Sequence, residues 1–308
     1  MRILVTGAQG FVGAALCASL RQQGHQVMAL ARRPAPDTIC LEMGPQTDWS
    51  PHLAGVEAIV HCAARVHLMQ DAASDPLAAY RAANCAATLQ LARAAAAAGV
   101  QRFVFLSSIK VNGEESAQAY RADTPPAPQD PYGVSKWEAE QGLLALAQRS
   151  ALQVCIIRPP LIYGAGVKAN FRQLLNLVRR GLPLPLANID NRRSLLYLGN
   201  LLDLISLCLQ HPQAANRTFL ASDGEDVSTP QLIRTIAAAQ GRSVRLLPCP
   251  PALLALVCRL LGRSSAWQRL AGSLQVDSSA ARDLLGWTPP YSMARGLQEM
   301  LAAEQASH

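Results

Sequence analysis

Apolar and polar positions follow two rhythms through the first half of the chain. Ile3 to Thr6, Gln26 to Leu30, Ala58 to Cys62, Phe103 to Ser107 and Val154 to Ile157 are short apolar runs. Such runs mark strands buried on both faces. Between them, Phe11 to Gln23 and Pro76 to Ala98 carry apolar residues at helical spacing, and the alanine run Ala94 to Ala98 predicts close packing on a sheet. Strands apolar on both sides that alternate with helices imply a parallel sheet covered on both faces, hence an α/β fold of the doubly wound, Rossmann type.

The rhythm breaks after Arg158. RPPLIYGAGVKANF, GLPLPLANIDNRR and LLPCPPALL are dense in Pro, Gly and paired Arg, which predicts loops over a cleft and a smaller C-terminal ligand-binding domain. The expected division is residues 1–163 for dinucleotide binding, with 195–224 returning to that unit, and 164–194 with 225–308 for substrate.

Composition narrows the class. Of 308 residues half are apolar, 16% are charged and 5% are aromatic, so disorder and coiled coil fit poorly. The longest apolar run, Ala252 to Cys258, is far short of the roughly 20 residues that cross a bilayer. No cleavable leader pattern follows MRILVTGAQG, so a cytoplasmic protein without stable membrane insertion is expected. Segment 251–262, PALLALVCRLLG, reads as a helix packed on its own domain or on a neighbouring subunit, with contact to a membrane surface as the alternative. Eight scattered cysteines, with no CxxC pair and no His at ligand spacing, read as free thiols without a metal. The net charge of +7 is spread over pairs such as Arg32-Arg33, Arg179-Arg180 and Arg192-Arg193. That suits small phosphorylated ligands better than nucleic acid.

Three glycines carry the first chemical signal. Gly7, Gly10 and Gly13, with Phe11 and Val12 between them, follow the first strand and open the first helix. Glycine there lets a pyrophosphate approach backbone N–H groups at the positive end of a helix. The acidic residue that would hold the adenosine ribose of NAD at the end of the second strand is missing. Ala31 stands there, followed by Arg32 and Arg33, and a guanidinium pairs with a 2′-phosphate. NADP(H) is therefore favoured, with NAD(H) as the alternative and two solvated arginines as the plainest account.

Tyr132 precedes Lys136 by one helical turn, so both side chains share a face. An ammonium beside a phenol lowers the phenol pKa toward that of a working acid/base, and Ser107-Ser108 end the preceding strand where a hydroxyl can polarise the same oxygen.

TGAQGFVG, HCAA, Asn84, FVFLSS, YGVSK and RPPLIYG fall in an order that resembles the extended short-chain dehydrogenase/reductases, the NAD-dependent epimerase/dehydratase family, and within it the UDP-sugar 4-epimerases and 4-ketoreductases. The resemblance implies catalysis by Ser108, Tyr132 and Lys136. It implies that His61, Ala63, Ala64, Asn84 and Pro159 belong to the cofactor site, with Asp48 as the acid after the third strand. It implies that Asn170, Phe171, Arg193 and Arg269 hold the diphosphate of a UDP-sugar, that Pro183 to Ala187 brackets the uracil, and that the protein is a homodimer. Ile109 and Lys110 stand where the family's dehydratases carry an Asp-Glu pair, which argues against dehydration. Lys110 also replaces a second hydroxyl common in 4-epimerases. The activity expected first is NADP(H)-dependent reduction of the C4 keto group of a UDP-4-keto-6-deoxy-N-acetylhexosamine for surface polysaccharide. The alternatives are an NAD-dependent UDP-hexose or UDP-N-acetylhexosamine 4-epimerase, and a non-catalytic dinucleotide sensor.

Overall fold

A computed structural model describes residues 1–66 and 75–306. The chain runs β1 (Arg2–Thr6), α1 (Phe11–Gln22), β2 (Gln26–Ala31), β3 (Thr38–Cys40), α2 (Ser50–Leu53), β4 (Ala58–His61), α3 (Pro76–Tyr80), α4 (Ala87–Ala97) and β5 (Arg102–Leu106). It continues through α5 (Pro131–Ala147), β6 (Gln153–Arg158), β7 (Leu161–Tyr163), α6 (Ala169–Arg179), β8 (Arg193–Tyr197), α7 (Leu198–Gln210) and β9 (Arg217–Leu220). The remainder is β10 (Asp226–Val227), α8 (Thr229–Ala239), α9 (Pro251–Leu260), α10 (Ser264–Ala271), α11 (Ser279–Leu285) and α12 (Met293–Ala306).

Seven strands form one sheet in the order β3-β2-β1-β4-β5-β6-β9, and every pairing is parallel. This is the Rossmann-type fold that the alternating pattern predicts. Strand side chains point alternately to two layers of core. Ile3, Val5, Val60 and Val104 meet α1, α7 and α11, while Leu4, Ile59, Phe103 and Phe105 meet α2, α4 and α5. Both faces are dry, so the strand sequences are apolar throughout rather than alternating. Ala92 and Ala95 of α4 are fully buried, and their small side chains let the helix sit close to the sheet.

Strand order reverses between β1 and β4, and ligands of open parallel sheets bind at the carboxyl ends of the strands flanking such a point. The ends of β1 and β4 are Thr6 and His61, which pair in register. A second, three-stranded sheet, β10-β8-β7, packs with α6, α8 and α12 around Tyr163, Phe171, Leu195 and Leu297.

Three features depart from the pattern read in the sequence. The helix expected over Pro76–Ala98 is interrupted by a π-helical turn at Arg81–Ala86. Strand β3 has only three residues and β9 opens with Arg217, so neither shows a long apolar run. β7 emerges inside the Pro/Gly-rich stretch that reads as loop.

Candidate active site

The glycine turn is built by close approach. Gly7 has φ +69°, and a Cβ there would lie 2.8 Å from the backbone N of Ala63. A Cβ on Gly13 would lie 2.2 Å from the carbonyl oxygen of Gly7. Only glycines let α1 start this near the turn while the turn sits against the backbone after β4. With Val12 buried and Phe11 packed against the core, α1 presents its free N-terminal amides at the switch point. The cradle fits a dinucleotide pyrophosphate. The loop after β2 lies against the same turn, since Ala8 N donates to the Leu30 carbonyl at 3.0 Å and Gln9 Nε2 to the Arg33 carbonyl at 2.8 Å. Arg32 and Arg33 are exposed there, while Ala31 is buried.

His61 does not face this cradle. Its ring is buried, stacked on Phe105 at 5.7 Å, and hydrogen-bonded through Nδ1 to Thr6 Oγ1 at 2.7 Å and through Nε2 to Thr88 Oγ1 at 2.8 Å. Thr88 donates its own proton to the Asn84 carbonyl, so His61 Nε2–H donates to Thr88 and Nδ1 accepts from Thr6. Burial, with Lys136 adding to it, pushes the imidazole down to about 3. The His61 side chain is thus spent on support, and the backbone of Cys62 and Ala63 in the same segment is what adjoins Gly7.

Asn84 lies in the π-helical turn and is fully buried. Its Oδ1 accepts from Arg65 N at 2.7 Å, and its Nδ2 donates to the Arg65 carbonyl and to Ser135 Oγ, both at 3.0 Å. Ser135 Oγ in turn donates to the Tyr132 carbonyl at 2.8 Å. A continuous hydrogen-bonded path thus links the segment after β4 to the first turn of α5.

Asp130 caps α5, accepting from Gly133 N at 2.6 Å, and Pro131 fills the first helical position. A Cβ on Gly133 would lie 2.8 Å from the Lys110 carbonyl, so this glycine lets the turn after Ser108 close onto the start of α5. Tyr132 and Ser108 adjoin there, both partly exposed. Burial pushes the Tyr132 phenol up to about 12, against the pull of the Ser108 hydroxyl. Lys136 is 1% exposed, donates to the Leu106 carbonyl at 2.8 Å and sits 4.3 Å from the Phe105 ring centre. Burial pushes it down to about 8, with Cys62 and Glu140 opposing. A phenol, a hydroxyl and a buried amine on one wall at the carboxyl edge of the sheet can move a proton to and from a carbinol oxygen.

Several supporting residues escape a motif search. Glu140 lies one turn beyond Lys136 and forms a buried ion pair with Arg158, 2.5 Å between Oε2 and Nη2. Ser107 donates to Glu140, and Arg158 Nη1 donates to Asn112 Oδ1 at 3.1 Å. The Pro159 carbonyl accepts from Ile109 N at 3.0 Å, which pins the Ser108 turn to the end of β6. The i, i+4, i+8 spacing of Tyr132, Lys136 and Glu140 is the signal that would have found Glu140.

Asp48 is exposed and its Oδ1 accepts from Ser50 N at 3.0 Å; Glu42, two residues past β3, is the acid nearest that strand's carboxyl end in the sequence. Phe171 is 2% exposed and stacks on Tyr163 at 5.3 Å, so its ring belongs to the core. Asn170 beside it is exposed in the first turn of α6. Arg193 Nη1 donates to the carbonyls of Arg269 and Gly272, both at 3.0 Å, which brings Arg193 and Arg269 together. Burial lowers the Arg193 guanidinium from its ordinary value, with Glu115 opposing. A cleft of about 560 Å³ opens beside them, lined by Ala187, Asp190, Arg192, Ser228 and Arg234 among others. The segment after Ser108 reaches this second unit through Ser116 N to the Ser273 carbonyl at 2.9 Å and through the Tyr120–Val276 pairing.

The profile of the NAD dependent epimerase/dehydratase family matches residues 3–221, the stretch that holds the cradle, Ser108, Tyr132 and Lys136. The chain belongs to that family. Among family relatives, a protein of Vibrio cholerae described as UDP-glucose 4-epimerase is 44% identical over 98% of this chain and 94% of its own. A solved UDP-N-acetylglucosamine 4-epimerase from Bacillus cereus superimposes with a TM-score of 0.82 at 22% identity, covering 99% of both chains. MoeE5, solved with UDP-glucose and NAD, superimposes with a TM-score of 0.77 at 25% identity over 100% of this chain and 99% of its own. As a member of the epimerase/dehydratase family this chain is an enzyme, and its fold is that of its structural neighbours.

Proposed function

We propose that the protein interconverts the C4 epimers of a UDP-hexose or UDP-N-acetylhexosamine with a tightly held dinucleotide. The observation that carries this reading is the full-length similarity to the Vibrio relative, with Ser108, Tyr132 and Lys136 brought to one wall. Gly7, Gly10 and Gly13 would hold the pyrophosphate, and Ala63, Ala64 and Pro159 would line the same groove. When bound, the oxidised nicotinamide supplies reversible hydride acceptance at C4 and a positive charge beside Tyr132.

Tyr132 takes the proton of the C4 hydroxyl and returns it on the other face of the turned sugar. Ser108 hydrogen-bonds the same oxygen in both directions. Lys136 orients the cofactor ribose and favours the phenolate, drawing Tyr132 down from its raised value. Arg193 and Arg269, with Asn170, hold the diphosphate so that only the sugar rotates. Lys110 does not enter the site, because its ammonium is bound to Asp130 and Glu114. Its place in the sequence is thus compatible with epimerisation.

This order reverses the expectation from the sequence, where ketoreduction came first. One observation still favours an NADPH-dependent C4 ketoreductase: Arg32 and Arg33 are exposed beside the glycine turn, with no acid at the end of β2. The experiment that separates the readings is identification of the dinucleotide released on denaturation, together with incubation of the protein with UDP-glucose or UDP-N-acetylglucosamine without added cofactor. Released NAD and formation of the C4 epimer support the proposal. NADPH consumed one-for-one with a UDP-4-keto-6-deoxy-N-acetylhexosamine, and no epimer, would overturn it.

A further inference from the structure

Helix α9 is inverted relative to an ordinary surface helix. Leu254, Ala255 and Cys258 turn inward, with Leu254 against the second core, yet no residue of the helix is fully buried. The outward face, at i, i+3, i+4 and i+7, is Leu253, Leu256, Val257 and Leu260, exposed by 51, 52, 43 and 78%. Leu261 extends it at 66%. Six of the ten large apolar side chains exposed among the described residues lie between Leu247 and Leu261, so this is one patch rather than scatter. The patch also reaches another segment. Leu184 N donates to the Arg245 carbonyl at 2.9 Å and Leu247 N to the Leu184 carbonyl at 2.8 Å, which carries exposed Leu182 alongside.

Charge decides what covers it. From Val227 to Val276 the chain has six arginines and no Asp or Glu, although the whole sequence has 21 acids to 28 bases. Arg242, Arg245, Arg259 and Arg263 are exposed, and none forms an ion pair among the described residues. Arg179 and Arg180, also exposed, precede Leu182. A second copy docking through the same face would set leucine on leucine and also arginine on arginine. An anionic phospholipid surface satisfies both, with acyl boundary for the leucines and phosphate for the guanidinium groups.

We propose that α9 and the adjoining segment around Leu182 lie in the surface of an anionic lipid bilayer. The helix has ten residues and no helix of the described residues is long and apolar enough to cross a membrane, so it lies flat. The proposal is independent of which sugar chemistry the active site performs.

The test is co-sedimentation of the full chain with vesicles of phosphatidylcholine and phosphatidylglycerol mixed equally, against phosphatidylcholine alone, with solution mass followed by light scattering. Two double variants accompany it, L256S with L260S and R259E with R263E, their fold checked by melting temperature. All four side chains are exposed, so the core is untouched. Expected are binding to the mixed vesicles, weakening in high salt, and a loss of about tenfold or more in affinity in each variant and on phosphatidylcholine alone. Absence of binding to mixed vesicles, or binding unchanged in both variants, would overturn the proposal. So would self-association that the L256S/L260S variant abolishes while vesicle binding is absent, because the face would then belong to a second copy.

Discussion

Lys110 Nζ lies 2.5 Å from Asp130 Oδ2, an ion pair that ties the turn after Ser108 to the cap of the helix bearing Tyr132. The same ammonium reaches Glu114 Oε1 at 2.8 Å, and the two acids hold its pKa above the ordinary lysine value against the effect of burial. The Lys110 backbone N–H donates to Ser108 Oγ at 3.3 Å while its ammonium is held by the two acids, so its part is to set the separation of Ser108 and Tyr132.

Replacing Lys110 with Met leaves the Asp130 cap without its cation and loosens that separation. We expect kcat to fall about tenfold with KM for the UDP-sugar little changed, since small misplacements of a proton-transfer group are costly. Lys110→Arg should restore most of the loss. A fall in KM affinity with kcat intact, read from steady-state kinetics, would show that Lys110 meets substrate instead.

The Glu140–Arg158 pair predicts a double-mutant pattern. Both side chains are almost completely buried, so Glu140→Ala strands an uncompensated guanidinium and should cost about 3–5 kcal/mol in urea unfolding. Replacing both residues with Leu should cost clearly less than the sum of the single changes.

The contrast between these residues and the motif residues shows what the sequence could carry. The sheet was legible because its strands are dry on both faces, and Gly7, Ser108, Tyr132 and Lys136 because each has a fixed place relative to a strand end. Glu140 and Arg158 were not, because a buried ion pair joins a helix to a strand 18 positions on, and neither residue alone differs from a solvated charge. His61 shows the same limit. A motif fixes its position, but only the Thr6 and Thr88 hydroxyls on either side show that its ring is spent on support. Asp48 had the right type at an uncertain spacing, and its carboxylate is bonded to the backbone N–H and hydroxyl of Ser50. The outward leucines of α9 were visible as an apolar run, but the run could not say which face is covered.

Burial of Lys136 sets a pH dependence of stability. The folded amine titrates near 8 and the unfolded one near 10.5, so between those values the unfolded chain binds more protons and stability rises with pH. Lys136→Met removes the term. The variant should be inactive yet more stable than the parent at pH 7, by up to about 3 kcal/mol, with the difference narrowing toward pH 10. Denaturant titrations at a series of pH values check this, and a gap that widens above pH 8 would contradict it.

His61 gives the complementary effect in acid. The folded imidazole titrates near 3 against 6.5 unfolded, so below 6.5 the unfolded chain takes a proton that the fold refuses, and stability falls as pH drops toward 3. His61→Gln should be less stable at pH 7 but lose less over that window, by about 1.4 kcal/mol for each pH unit at the steepest. An identical acid slope in parent and variant would assign the loss to other groups.

The most direct measurement uses a UDP-hexose labelled with deuterium at C4, given to the protein in ordinary water with no added reductant. If Tyr132 only moves the hydroxyl proton while the C4 hydrogen leaves and returns within one site, the epimer forms with its deuterium retained at C4, and Tyr132→Phe slows its formation by about 100-fold or more. Washout of the label into water during epimer formation, or no epimer together with net consumption of NADPH on a 4-keto sugar, would contradict the account.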